Sequence, residues 1–224
     1  MSAASGWRLS PTRSYTQPCK GLQSECFSPL KYPPDALTAS GGYSLSMATL
    51  ISKSVSTSLC EMRMATTDRG ICLLEMGSPE RADREQSELE AAFETQMIRG
   101  EHPLLDLLES ELDGYFSGQL TKFSVPLDCP GSEWQTKVWN ALIEIPYGET
   151  TSYGQLAARL DNPGGARAVG LANGQNRVSI VIPCHRVIAA DGTLHGYGGG
   201  IERKQWLLDH EEVNSGSGLF AQKS

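Results

Sequence analysis

The sequence predicts an α+β protein: a small α/β part, then a mainly helical part, with a disordered extension in front. Three observations carry that prediction. Residues 57–128 combine short apolar runs around turn signals with two stretches of helical period. Residues 129–211 contain a series of helix starts, each with its own capping residues. Residues 1–56 are rich in Ser, Thr, Pro and Gly and sustain no period, and such a composition buries too little apolar surface to fold.

The chain has 224 residues, of which 39% are hydrophobic and 20% charged, enough for a real core. No apolar run approaches the ~18 residues of a membrane helix, so no membrane partner is expected. The net charge of −7 argues against a generally sticky nucleic-acid binder. It is unevenly spread: residues 1–60 carry +3, residues 61–127 carry −8 and residues 128–211 only −2. A surface facing DNA therefore belongs in the last third, with the acidic part turned away. The six cysteines (19, 26, 60, 72, 129 and 184) include no C-x-x-C pair, and no secretory signal precedes them. They read as reduced intracellular thiols. The early stretch is basic and free of acids until Glu25, a weak transit-peptide pattern, and Met47 is a plausible alternative start.

Order is expected to begin near Thr57. Residues 59–65 and 71–76 flank Asp68-Arg69-Gly70 as a hairpin. Leu89, Ala92, Phe93 and Met97 mark a helix over 84–97. Leu104, Leu105, Leu108, Leu112, Tyr115 and Phe116 mark another over 103–117, ended by Gly118. Lys122–Asp128 reads as one more strand. After Cys129-Pro130-Gly131, Ser132 and Gln135 form a capping box for a helix that stops before Pro146. Ser152 and Gln155 form a second box, opening a helix through Leu156 and Leu160. Asn162-Pro163 has the form of a third start, with Asn as N-cap and Pro at the first helical position, running to about Asn173 with Gly174 closing it. Two short helices around a tight turn make a helix-turn-helix. Residues 212–224 read as a tail.

Two stretches stand out chemically. Gly164–Ala172 reads G-G-A-R-A-V-G-L-A, although each glycine costs a helix ~1 kcal/mol relative to alanine. Small side chains let such a helix approach something bulky, and Arg167 alone projects from it. The second is Ile182-Pro183-Cys184-His185-Arg186-Val187, downstream of the helix-turn-helix. An ionised cysteine is the strongest natural nucleophile, an adjacent base lowers its pKa, and the proline stiffens the backbone that presents it.

Together with Ile145-Pro146-Tyr147-Gly148-Glu149-Thr150, Ser152-Tyr153-Gly154-Gln155, Ala166-Arg167-Ala168-Val169-Gly170, Asn176, Gly196-Tyr197 and Arg203-Lys204-Gln205-Trp206-Leu207-Leu208, these motifs resemble the O6-alkylguanine-DNA alkyltransferases. The resemblance is to the bacterial type also found as the C-terminal part of the adaptive-response protein. It covers roughly residues 57–211. It implies a ribonuclease H-like N-terminal domain and a winged helix-turn-helix-like second domain.

The function it implies is direct reversal of damage. An alkyl group on O6-alkylguanine, or O4-alkylthymine, in double-stranded DNA passes irreversibly to Cys184 after the base is flipped through the minor groove. Each molecule then acts once, as an intracellular monomer, and the step needs no metal or organic cofactor. The implied catalytic set is Cys184 as acceptor, His185 as base through a bridging water, Glu211 as its orienter, Asn176 as brace and Tyr153 as donor to the leaving guanine. Arg167 replaces the flipped base, while Asn162, Tyr153 and Ala168 meet the DNA. Tyr197, Gly198, Val187 and Trp134 line the substrate pocket. Gly198 through Gly200 leave its wall without side chains, which predicts room for groups larger than methyl. Arg159, Arg167, Arg177 and Arg186 are the few cations near the DNA, so binding is expected to be modest. Residues 1–56 offer only Cys19 and Cys26, too few for the adaptive-response protein's zinc site. A non-catalytic sensor of alkylated DNA, or an alkylation-responsive regulator, is the rival reading. A Cys-His hydrolase is more distant, because it leaves the helix-turn-helix and Arg167 unexplained.

Overall fold

The computed structural model describes residues 49–216. The greater part of the extension, with Cys19, Cys26 and Met47, lies outside the described residues, as does most of the tail. Among them are six α-helices and a small mixed sheet.

The sheet comprises β1 (Leu50–Ser56), β2 (Glu61–Thr66), β3 (Ile71–Glu75) and β4 (Met97–Arg99), in the order β3-β2-β1-β4. β1 to β3 are antiparallel, while β4 returns through α1 (Pro79–Phe93) to lie parallel to β1. The hairpin is where the pattern puts it, and α2 spans Pro103–Phe116 as the period predicts. The helix expected over 84–97 instead starts at Pro79 behind the Ser78 cap and ends at Phe93, because Glu94 turns left-handed at φ 51°, so Met97, read as part of its face, opens β4. Both sheet faces are covered. Met62, Met64 and Leu74 join the large core with Leu105, Leu108 and Leu112 of α2. Ala65, Leu73 and Leu50 face the other way, with Leu89 of α1. β3 is buried along its whole length, as a strand packed on both faces must be.

Two further expectations in this part need correction. Leu50–Ser56, assigned to the disordered extension, is a strand paired on both edges. Its serines and lysine hide it from propensity, and pairing on both sides overrides them. Lys122–Asp128, expected as a strand, makes only an isolated bridge between Leu127 and Ile71. The Glu111 carboxylate takes the Ser124 and Val125 amides (3.0 and 3.3 Å), so those donors are lost to any ladder.

The second part runs through α3 (Glu133–Ile143), β5 (Thr151–Ser152), α4 (Tyr153–Arg159), α5 (Ala166–Gly174), β6 (Val187–Ile188) and α6 (Ile201–Asn214). Both capping boxes form: Ser132 accepts from Gln135 N and Ser152 from Gln155 N, and each glutamine side chain answers the cap's own amide. The third start is shifted. Asn162 does not cap α5; its carbonyl accepts from Gly165 N (2.9 Å) in a tight turn, Gly164 takes a left-handed φ of +91°, and the helix begins only at Ala166. α6 runs three residues into the segment read as a tail. The large core joins Ile71, Leu74 and Leu108 to Val138, Trp139, Leu142, Leu156 and Val169, so it crosses the link near Cys129. Among the described residues, no helix is long and apolar enough to cross a membrane.

Candidate active site around Cys184

Cys184 opens a single 3-10 turn, Cys184–Arg186, between the core and β6. Its backbone is set by the residue before it. Pro183 sits at φ −79°, ψ 62°, and the Cys184 amide donates to the Ile182 carbonyl at 2.8 Å. That is an inverse γ-turn, and proline's fixed φ suits its centre. Upstream, Ile180 is forced to φ +71°, a costly conformation for a β-branched residue. Asn176 holds this turn from behind. Its Nδ2 donates to the Ile182 carbonyl (2.9 Å), and its Oδ1 accepts from the Val178 amide (2.9 Å). Asn173 adds a bond from its Nδ2 to the Cys184 carbonyl (3.3 Å).

The charge centre of the site is Glu211, 1% exposed on α6. Five donors converge on its carboxylate. Oε1 receives Tyr115 Oη (2.8 Å), His185 Nε2 (2.8 Å) and Arg186 Nη2 (2.9 Å); Oε2 receives Arg186 Nε (2.8 Å) and Gly148 N (3.1 Å). Burial pushes its pKa up, but the bonds from His185 and Arg186 outweigh it and hold the carboxyl well below the usual range. Arg186 balances the charge, so burial decides the state of His185 and drives its pKa down. A neutral imidazole facing an ionised carboxylate must donate from Nε2. Its Nδ1, buried and without a protein hydrogen bond, is then the basic nitrogen. Burial raises the Cys184 thiol, opposed by its bond with Asn176 and the charge of Lys204.

The remaining expected residues fall into two groups. Tyr153, at the start of α4, joins the site: burial and the neighbouring Cys184 raise its phenol, which therefore stays a donor, and its ring packs on Gly170 of α5. Tyr197 is half-buried, with Lys204 Nζ 6.0 Å from its ring centre, and Lys204 in turn donates to the Val187 carbonyl at 2.7 Å. Arg167 is exposed on α5, and Asn162 lies in the turn just before that helix, its side chain folded against Gly165. Trp134 ties α3 to α5, its Nε1 donating to the Ala168 carbonyl (3.3 Å). Arg186 and Arg177 are not available for phosphates. The first is locked on Glu211 and the Ile145 carbonyl, and the second lies 2.8 Å from Glu85 and 2.6 Å from Glu88. Gly198 and Gly199 do not signal spare room, while Gly200, at φ +93°, has open space around it. A Cβ at Gly198 would meet the Arg81 guanidinium at 2.6 Å, and one at Gly199 would meet Met76 at 2.7 Å. Those glycines permit close packing.

Tyr115, Arg186 and Lys204 were missed as parts of the site. Tyr115 looked like one more apolar position of α2. A lysine buried on α6 is visible only once the helix is docked.

Known proteins similar to this chain share one family. Residues 133–213 match the family model described as the DNA-binding domain of 6-O-methylguanine DNA methyltransferase. The methylated-DNA–protein-cysteine methyltransferase of Mycolicibacterium paratuberculosis is 58% identical over 109 residues, 49% of this chain and 66% of that protein. The crystal structure of the Mycobacterium tuberculosis O6-methylguanine methyltransferase superposes with a TM-score of 0.63 at 37% identity, covering 78% of this chain and all of that one. The chain belongs to the O6-methylguanine-DNA methyltransferase family. The sequence match spans about two-thirds of the length of the curated mycobacterial relative. A structure of the M. tuberculosis methyltransferase in complex with DNA is similar too, with a TM-score of 0.62 at 40% identity, covering 73% of this chain and 94% of that one. Among the described residues, cysteines 60, 72 and 129 are also free thiols, and burial pushes each of them up.

Proposed function

We propose that this protein repairs DNA by transferring the alkyl group of O6-alkylguanine to its own Cys184, once per molecule. The observation that carries this reading is the buried Cys184, His185 and Glu211 set. It combines a thiol on a stiff turn, a neutral imidazole with one basic nitrogen, and a carboxylate that fixes the tautomer.

The chemistry is an in-line displacement. The thiol proton leaves for His185 Nδ1 through a bridging water, and the Sγ–carbon bond forms as the carbon–O6 bond breaks. The electron pair passes to the guanine, where the protonated Tyr153 hydroxyl donates to the developing charge. The guanine takes up a proton as it departs. The thioether product does not hydrolyse, so the protein is consumed. Damaged duplex DNA is the partner, gripped in its minor groove by α4 and α5, with Arg167 taking the place of the extruded base. The name of the relative solved with DNA supports that partner. The finer fold reading follows the same lines. Strand order β3-β2-β1-β4, with β4 parallel to β1, supports a ribonuclease H-like first domain; α3 to α5 with the β5–β6 pair support a winged helix-turn-helix-like second one.

The test is a count. A duplex carrying O6-methylguanine is incubated with limiting protein, and the remaining lesion is measured by chromatography of the digested DNA. Loss of one lesion per protein molecule and then a plateau is expected. Continued turnover, or no loss, contradicts the proposal.

A further inference from the structure

The first turn of α1 reaches the acceptor site from the other part of the chain. Glu75, the last residue of β3, is buried, with its side chain 1% exposed. Its Oε1 accepts from Met76 N (3.0 Å) and Gly77 N (2.5 Å), and its Oε2 accepts from Arg81 Nε (2.8 Å). A carboxylate fixed by two amides in turn fixes the guanidinium. Arg81 Nη2 then lies 3.3 Å from the Asn176 carbonyl, 3.5 Å from the Gly174 carbonyl and 3.2 Å from Glu85. Asn176 is the brace of the Cys184 turn. On its other side the same guanidinium packs against Gly198, so closely that no larger residue fits there without displacement. Gly198 directly follows Tyr197.

We propose that Arg81 is a positioning residue for alkyl transfer. Its guanidinium joins the Asn176 turn behind the nucleophile to the Tyr197-Gly198 wall in front of it, and so sets which alkyl groups fit between them. This inference rests on the alkyltransferase reading and adds to it a determinant of alkyl size located outside the helical part. Arg81 also contributes positive charge near Cys184, opposing the dominant effect of burial on the thiol, while the paired Glu75 acts the other way.

The test compares Arg81→Met and Arg81→Lys with the unaltered full chain, measuring single-turnover rates on duplexes carrying O6-methylguanine or O6-benzylguanine. Misplacement of about 1 Å near reacting atoms costs up to ~100-fold. Arg81→Met is expected to slow methyl transfer about tenfold, to slow benzyl transfer less, and still to reach one alkyl group per molecule. Arg81→Lys, which keeps the charge but not the fork, is expected to recover part of the rate. A structural role alone would lower the plateau and slow both substrates equally, and that result overturns the proposal, as does an unchanged rate. Should Arg81→Met fail to fold, Gly198→Ala presses on the same guanidinium from the opposite side. An unchanged methyl-to-benzyl ratio there also overturns it. An unaltered protein that accepts no alkyl group would instead remove the alkyltransferase reading, and this inference with it.

Discussion

Glu211 shows how one side chain can organise a site. Five donors meet on it, so replacing it with glutamine leaves Arg186 buried beside a neutral amide and disturbs the tautomer of His185. Breaking a buried pair costs about 3–5 kcal/mol. Glu211→Gln is expected to lose stability of that order in urea denaturation, and to slow alkylation more than tenfold in the molecules that remain folded. The pH dependence follows from the same group. A carboxyl held below its ordinary value contributes stability that is complete above the unfolded pKa of about 4.3 and is lost as pH falls below it. His185, kept neutral by burial, loses stability in the same direction, beginning below about 6.5. Melting temperature should therefore hold from pH 7.5 to about 6.5 and fall from there to pH 4; a rise on acidification contradicts the charge assignment. Cys184, His185 and Glu211 were legible as a motif because they lie in short recognisable segments. Tyr115 was not, since nothing local in α2 signals a carboxylate 96 residues away.

At the scale of elements, the helices announced themselves through capping chemistry and period. Ser132 and Ser152 make both halves of their capping boxes. Each serine-to-alanine change is expected to cost about 1 kcal/mol. Ser152→Ala should also slow alkyl transfer, because it loosens the first turn of α4 where Tyr153 sits. Ser132→Ala, on α3, should change stability with little effect on rate. Equal effects on rate would contradict the role given to Tyr153. The strands were harder to read. β5 and β6 have two residues each and β4 has three, too short for any alternation to register. β1 is rich in serine and becomes a strand only because β2 and β4 flank it. The start of α5 was misplaced by one turn. Asn162-Pro163 has the right residues for a cap, but Gly164 at φ +91° bends the chain before the helix can begin.

Over the whole molecule, charge is divided between interior structure and surface. Two of the four arginines first assigned to DNA are consumed internally, Arg177 against α1 and Arg186 against Glu211. Arg167 on α5 and Arg159 on α4 remain exposed, the latter paired with Glu144. Two neutralised phosphates give a slope of about −2 in log affinity against log salt. A slope several-fold steeper would mean that another surface grips the duplex. The acidic composition of residues 61–127 was legible, but its use was not: Glu75 and Glu85 turn inward to clamp Arg81 and Arg177, and the exposed Glu88 closes on Arg177 from outside, rather than forming only a repelling outer face. The claim on which the rest depends is that Cys184 itself takes the alkyl group. Intact-protein mass and peptide mapping, after incubation with a duplex containing O6-methylguanine, test it most directly. The account predicts a single gain of about 14 Da, one methyl replacing one hydrogen, on the peptide bearing Cys184 and absent in Cys184→Ala. An unshifted mass in a protein that binds the same duplex, or a gain on another residue, would contradict it.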